Sequence, residues 1–113
     1  MTMPTKIDHP LYRMLQDEDI AAFNAARKRG ETCDLSHALL RGLDLRNMDA
    51  SGLNMSGAYL RQADLRGIDF RETNLEGASI CEAKISGVYF PKELHPHEIF
   101  MSVERGTRMR YRP

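Results

Sequence analysis

Apolar residues in the middle of the chain recur at every fifth position, a spacing that fits neither the 3.6 residues of a helical turn nor the alternation of a strand. Divided into fives from Cys33, the sequence keeps one register for twelve units, from CDLSH to VYFPK. The third residue of every unit is apolar, and the first is small or apolar in every unit except the one that begins with Thr73. Apolar residues fixed at two phases indicate a repeating backbone that buries them. The predicted structural core consists of Leu35, Leu40, Leu45, Met55, Leu60, Leu65, Phe70, Leu75, Ile80, Ile85 and Phe90.

Glycine also keeps to one phase. Six of the eight glycines occupy the fifth position of a unit, which predicts a turn there that needs positive φ. Each unit is then a short extended piece followed by a corner, and repeated corners wind the chain into a coil whose successive turns pair as parallel strands. A disordered repetitive tract is the alternative, but disorder does not hold apolar residues at one phase.

Several units carry a recognisable consensus. ADLRG, LDLRN, TNLEG and ALLRG, beginning at residues 63, 43, 73 and 38, resemble the A(D/N)LXX pentapeptide-repeat proteins. The resemblance spans residues 33–92 and implies an all-β solenoid, a right-handed four-sided β-helix in which four units make one coil. Twelve units would form three coils, about 15 Å tall at the usual strand spacing.

The repeat departs from its consensus at a few positions. Leu39, Tyr59 and Tyr89 replace the usual Asp or Asn at the second position, and Ala50 replaces a large central residue. The alanine predicts a thin place in the core, or its filling by a neighbour such as Met48.

The flanking segments are predicted to be helical caps, because a solenoid exposes apolar residues and unpaired backbone at both ends. Residues 10–29 have helical patterning, with Pro10 in a first turn, Asp17 capping a second helical segment and Gly30 ending it. The expected organisation is an N-terminal capping segment (1–32), the repeat (33–92) and a C-terminal helix with a basic tail (93–113), together one globular domain.

The C-terminal cap is expected to begin at His95 or Pro96 and to end at Gly106. Ile99, Phe100 and Val103 would form its apolar face. The sequence TRMRYRP follows as an exposed or strand-hugging tail.

Composition excludes several classes of function. The 113 residues include 16 basic and 16 acidic side chains, so no overall field favours nucleic acid or a membrane surface. No apolar run reaches the length of a membrane span, and Cys33 and Cys81 form no spaced cluster, which favours a reducing cytoplasm. Cys33 is at an inward phase and is expected in the core.

No catalytic, cofactor-binding or metal-binding residue is predicted. His95, His97 and Glu98 form a weak metal pattern that helix capping explains better. The glycines lack the lysine and the strand-to-helix context of a phosphate-binding loop.

One face is a candidate interaction surface. If residues twenty apart stack, Leu39 and Tyr59 form a column beside Arg41 and Arg61, and tyrosine and arginine are enriched at interface hot spots. The surface would bind a protein partner or a second copy in a homodimer. The alternative is that it packs beneath the N-terminal cap.

Three functions follow from these features. A non-enzymatic interaction module that presents side-chain columns to a protein is the preferred one. A DNA mimic that modulates DNA gyrase, as some pentapeptide-repeat proteins are, would need a long acidic face, which this short and nearly neutral repeat lacks. Weak, salt-sensitive nucleic-acid binding is the third, through a basic tail that contains Arg105, Arg108, Arg110 and Arg112.

Overall fold

The backbone bends where one unit meets the next. The computed structural model describes residues 4–113. The N–H of Met48 donates to the carbonyl of Leu45 at 3.1 Å, and Asn47 between them has a φ of 71°. Positive φ at the third of four residues defines a type II turn, which glycine adopts without strain. All six glycines at the fifth position have positive φ, so the predicted role of the glycine phase is confirmed.

Residues twenty positions apart are paired. Parallel bridges join Leu39 to Tyr59 and Asp44 to Asp64, and the same register continues to the end of the repeat. Units that are four apart in the sequence are therefore paired with each other. We call residues 33–52, 53–72 and 73–92 coils 1, 2 and 3. The further bridges of this register are Asn54 with Asn74, Tyr59 with Ser79, Asp64 with Lys84, and Asp69 with Tyr89.

These contacts are single bridges, and residues 4–113 contain no strand of two or more residues. The all-β class expected from the sequence is thus seen only as isolated bridges. The reason is the shortness of the repeat, because each corner occupies most of a five-residue unit and leaves little extended backbone.

The repeat surrounds an apolar interior, which we call the shaft. Nine of the eleven predicted core residues have no exposed surface, whereas Ile85 and Phe90 are half-buried. Ala50 is buried beside Met48, which is 4% exposed. The polar exception, Thr73, is also buried, and its hydroxyl donates to the carbonyl of Ala50 at 2.7 Å.

Within the described residues, two helices precede the repeat, α1 (Pro10–Gln16) and α2 (Ile20–Lys28). The prediction that Asp17 caps the second helix is wrong. Asp17 ends α1, and Asp19 caps α2 by accepting the N–H of Ala22 at 3.1 Å. The reason is that the turn between the helices takes two more residues than the charge pattern indicates.

One helix follows the repeat, α3 (Pro96–Arg105), with His95 at its N-cap and Gly106 in the left-handed conformation at its C-cap. Both predicted ends are confirmed. Phe100 was expected on the buried face but is 61% exposed. Ile99 and Val103 pack against the core cluster and Ser102 is buried, so the inward face of α3 runs through these residues and leaves Phe100 outside.

The three helices have seven, nine and ten residues. In the part of the chain that the structure describes, no helix is both long and apolar enough to cross a membrane.

Candidate interaction surface

The second position of the repeat supports the corners. Asn54 Oδ1 accepts the N–H of Ser56 at 3.0 Å, and Asp34 Oδ1 accepts the N–H of Ser36 at 2.9 Å. In these Asx turns the side chain bonds to backbone two residues further on, which Asp and Asn can do equally well. The other Asx turns of the repeat are made by Asp44, Asp49, Asp64, Asp69 and Asn74.

One face carries matched charges. Asp64 accepts Nε and Nη2 of Arg66 at 2.9 and 2.7 Å, and this pairing lowers the pKa of Asp64 from 3.8 to about 2. Arg46 pairs with Asp44 at 2.8 Å in its own unit and lies 3.5 Å from Asp64 in the next coil. The face is therefore a ladder of compensated charges.

The Leu39 and Tyr59 column has a different character. Neither side chain can form the Asx turn, and both are half-buried. The carbonyl of Leu39 accepts the Tyr12 hydroxyl at 2.7 Å and the Gln16 amide at 2.8 Å. Helix α1 thus contacts the backbone of Leu39, the first residue of the column. Tyr59, one coil below, stays a predicted contact residue.

The arginines beside this column are held by side chains of the following coil. Arg41 Nε donates to Gln62 Oε1 at 3.3 Å, and Arg61 Nη2 donates to Glu82 Oε1 at 3.2 Å. Gln62 Nε2 also donates to Glu82 Oε2 at 3.3 Å. Hydrogen bonding of its guanidinium to Tyr59, together with the nearby Cys81 and Glu82 side chains, raises the pKa of Arg61. The two arginines, Gln62 and Glu82 therefore form an ordered polar group that spans three coils.

The N-terminal helices also satisfy the free backbone of coil 1. Asn24, on α2, donates to the carbonyl of Asn47 at 2.8 Å and accepts the N–H of Asp49 at 2.8 Å. Glu18, between the helices, accepts the N–H of Asp44. These bonds supply partners that a preceding coil would otherwise provide.

The C-terminal segment provides hydrogen-bond partners for the free backbone groups in the first half of coil 3. The hydroxyl of Tyr111 accepts the N–H of Leu75 at 2.8 Å and donates to the carbonyl of Thr73 at 3.3 Å. Ser102 Oγ, on α3, accepts the N–H of Ile80 at 3.0 Å.

The basic tail lies against the molecule. Arg110 pairs with Glu98 of α3 at 2.9 Å, and this pairing lowers the pKa of Glu98 to about 2. Arg108 Nη1 donates to the carbonyl of Gly77 at 2.9 Å. Half of the arginines considered for phosphate contacts are thus engaged within the chain. Arg105, Arg110 and Arg112 are exposed, and Arg108 is half-buried.

The residues considered for metal binding have other contacts. His95 Nδ1 accepts the N–H of His97 at 3.0 Å as a helix cap, and Glu98 binds Arg110. Within residues 4–113, no group of three or more His, Cys, Asp or Glu side chains could hold a metal ion.

The two cysteines are free and half-buried. Burial raises the pKa of the Cys33 thiol. Cys33 was expected as a core residue but is only half-buried, because it begins coil 1, where no earlier coil of the repeat covers it.

Sequence reasoning missed two exposed aromatic residues as surface candidates. Tyr89 is 57% exposed, and the guanidinium of Arg71 lies 4.7 Å from its ring centroid. Phe100 is the other. Tyr89 could have been found, because it breaks the Asp/Asn rule at the second position and follows Asp69 by twenty residues.

Comparison with known proteins identifies the family. The chain matches the family "Pentapeptide repeats" in eight copies, over residues 33–67 and 60–91. The matched region is more than half of the chain, and the chain therefore belongs to the pentapeptide-repeat family, whose members are generally non-enzymatic interaction proteins. No curated protein and no solved structure matches it.

Proposed function

We propose that the chain is a non-enzymatic interaction module that binds a protein partner through Leu39, Arg41, Tyr59 and Arg61. The observation that carries this proposal is the setting of Tyr59, which is half-exposed in a stacked column beside arginines held by Gln62 and Glu82. Ordered arginines lose less side-chain entropy on binding than free ones, and tyrosine contributes a large rigid contact area.

The proposed scaffold is a right-handed, four-sided β-helix of three coils in residues 33–92. Residues 4–32 and 93–113 form its N-terminal and C-terminal caps, and residues 1–3 of the predicted N-terminal segment lie outside the described residues. Bridges at a spacing of twenty residues and the burial of the third position support this architecture. A crystal structure would test the handedness, and a left-handed path or a coil of another length would contradict it.

The substitution Tyr59→Asp tests the interaction surface. Aspartate at the second position fits the repeat, because it can form the Asx turn that Asp64 and Asp69 form. The fold should therefore survive while the aromatic contact is lost. The immobilised full-length chain would capture partner proteins from a native extract, and Tyr59→Asp should lose a captured protein.

Tyr89→Asp is the matched control, because Tyr89 has the same repeat position in another column. The control should keep the partner that Tyr59→Asp loses. Equal capture by the unmodified chain and Tyr59→Asp would contradict the proposed surface. Light scattering of the three proteins separates a foreign partner from self-association, because a homodimer through this face would dissociate in Tyr59→Asp alone.

A further inference from the structure

Coil 3 shows how a short segment pairs with the edge of this fold. The N–H of Lys84 donates to the carbonyl of Ala63 at 3.0 Å, and its carbonyl accepts the N–H of Leu65 at 2.9 Å. Two residues later the carbonyl of Ser86 accepts the N–H of Gly67 at 3.0 Å. Residues 84–86 thus provide hydrogen-bond partners for one of the four sides of coil 2.

Helix α3 and the tail cover half of the lower edge of coil 3. The N–H groups of Leu75, Gly77, Ile80 and Glu82 would each donate to a fourth coil, and all four find acceptors in α3 or the tail. The carbonyl of Ala78 accepts the N–H of Met109 in the same region. This half of the edge is closed.

The other half is open. Among residues 4–113, the equivalent N–H groups of Ile85, Gly87 and Phe90 donate to no acceptor, and the carbonyls of Ala83 and Val88 accept no hydrogen bond. Ile85, Val88 and Phe90 are also only half-buried, unlike the matching residues of coils 1 and 2 in the shaft. An apolar shaft end and a row of unpaired backbone groups coincide here, and such an edge is a template for strand addition.

We infer that residues 83–87 are a docking edge for an extended segment of a partner protein, in which an acidic residue is followed by a branched apolar one. The pairing of Lys84–Ser86 with coil 2 gives the register. The N–H of the first peptide residue would donate to the carbonyl of Ala83, and its carbonyl would accept the N–H of Ile85. The carbonyl of the third peptide residue would accept the N–H of Gly87. The middle side chain would then point into the shaft beneath Ile85, as Ile85 does beneath Leu65.

Charge selects the first peptide residue. It would lie beneath Lys84 in the column that contains Asp44 and Asp64. Both aspartates are paired with arginine, whereas Lys84 is exposed and makes no ion pair in the described part of the chain. A carboxylate there would supply the missing partner of the lysine.

A second copy of the chain fits this edge less well. Two-fold pairing would bring another Lys84 to an edge that already lacks an acid. Head-to-tail stacking is blocked, because α1 and α2 already bond to the free backbone of coil 1 through Tyr12 and Asn24. These points favour a foreign peptide, and this inference goes beyond the surface proposed around Tyr59.

A peptide titration followed by NMR tests the docking edge. The probe is a capped five-residue peptide of threonine, aspartate, leucine, serine and threonine, added at millimolar concentration to the full ¹⁵N-labelled chain. The amide signals of Ile85 and Gly87 should shift most, because both N–H groups gain an acceptor. A peptide N-methylated at the aspartate lacks the donor for Ala83 and should cause no such shifts.

Charge reversal gives the second test. Lys84→Glu should weaken binding of the aspartate peptide about fivefold and strengthen binding of a peptide with lysine in its place. Lys28→Glu, at the opposite end of the molecule, should leave both affinities unchanged. Tyr59→Asp should also bind the peptide normally, so that a failure here is distinct from a failure of the proposed partner surface.

Three results would overturn the inference. The first is that the amide signals of Ile85 and Gly87 do not shift at saturating peptide. The second is that the N-methylated peptide shifts them equally. The third is a concentration-dependent dimer, detected by light scattering without peptide, in which the same two amides become protected from exchange. That result would assign the edge to a second copy.

Discussion

A methyl group added at two corners of the repeat would meet different surroundings. Gly57 and Gly67 have φ values of 67° and 78° and make equivalent turns. A Cβ built on Gly57 would collide with the imidazole ring of His37 in coil 1, whereas one built on Gly67 would meet nothing within 4 Å. The backbone requirement is the same at both glycines, and only Gly57 also needs the space.

Gly57→Ala should therefore destabilise the protein more than Gly67→Ala. Alanine in the left-handed conformation costs about 1–2 kcal/mol at either position, and displacement of His37 adds about 1–3 kcal/mol at Gly57. Urea unfolding of both variants measures the difference. In the His37→Ala background the collision is absent, so Gly57→Ala and Gly67→Ala should then have nearly equal urea midpoints. A Gly57→Ala penalty that His37→Ala leaves unchanged would show that the collision is not its cause.

Single residues also show what the sequence could predict. The glycine phase and the third-position apolar residues follow from the repeat itself, since each unit sees the same local geometry. The pairing of Arg61 with Glu82 does not follow, because it joins different positions of units that only stacking brings together. Asp17 and Asp19 could not be ranked as helix caps, because both suit that position and the tight turn between α1 and α2 decides.

Tyrosine hydroxyls at the two caps should contribute unequally to stability. Tyr111→Phe leaves the N–H of Leu75 and the carbonyl of Thr73 without their partner, which should cost about 1–3 kcal/mol. Tyr12→Phe should cost less, about 0.5–1.5 kcal/mol, because Gln16 still donates to the same carbonyl.

Hydrogen exchange of the Leu75 amide checks this prediction with a site-specific readout. Exchange should accelerate in Tyr111→Phe and stay nearly unchanged in Tyr12→Phe. Urea unfolding supplies the stabilities. Equal losses in the two variants would contradict the argument that unpaired backbone, rather than the loss of a hydroxyl, sets the cost.

The caps themselves were predictable as elements, but their coverage was not. Helical patterning and Gly106 indicate α3 and its end. They do not say that α3 and the tail cover residues 75–82 and leave Ile85 and Gly87 unpaired, because coverage depends on the direction in which the helix crosses the shaft. Phe100 is exposed for the same reason.

The charges of the whole molecule are arranged in local acid and base pairs. Arg66, Arg71 and Arg110 hold the pKa values of Asp64, Asp69 and Glu98 at about 2. Ordinary values for these groups are 3.8, 3.8 and 4.5. A carboxylate whose pKa is lower in the folded state favours folding above its unfolded pKa, and this contribution disappears as pH falls through the folded pKa.

Folding stability should therefore be nearly constant above about pH 5 and fall between about pH 4 and pH 2. Asparagine keeps the Asx turn but has no charge, so Asp64→Asn with Asp69→Asn should be less stable than the unmodified chain at pH 6. The double variant should also lose less stability between pH 4 and pH 2. Urea midpoints measured across this range test both statements, and 1 M salt should narrow the difference because exposed pairs are screened. Equal acid slopes for the two proteins would contradict the role assigned to these pairs.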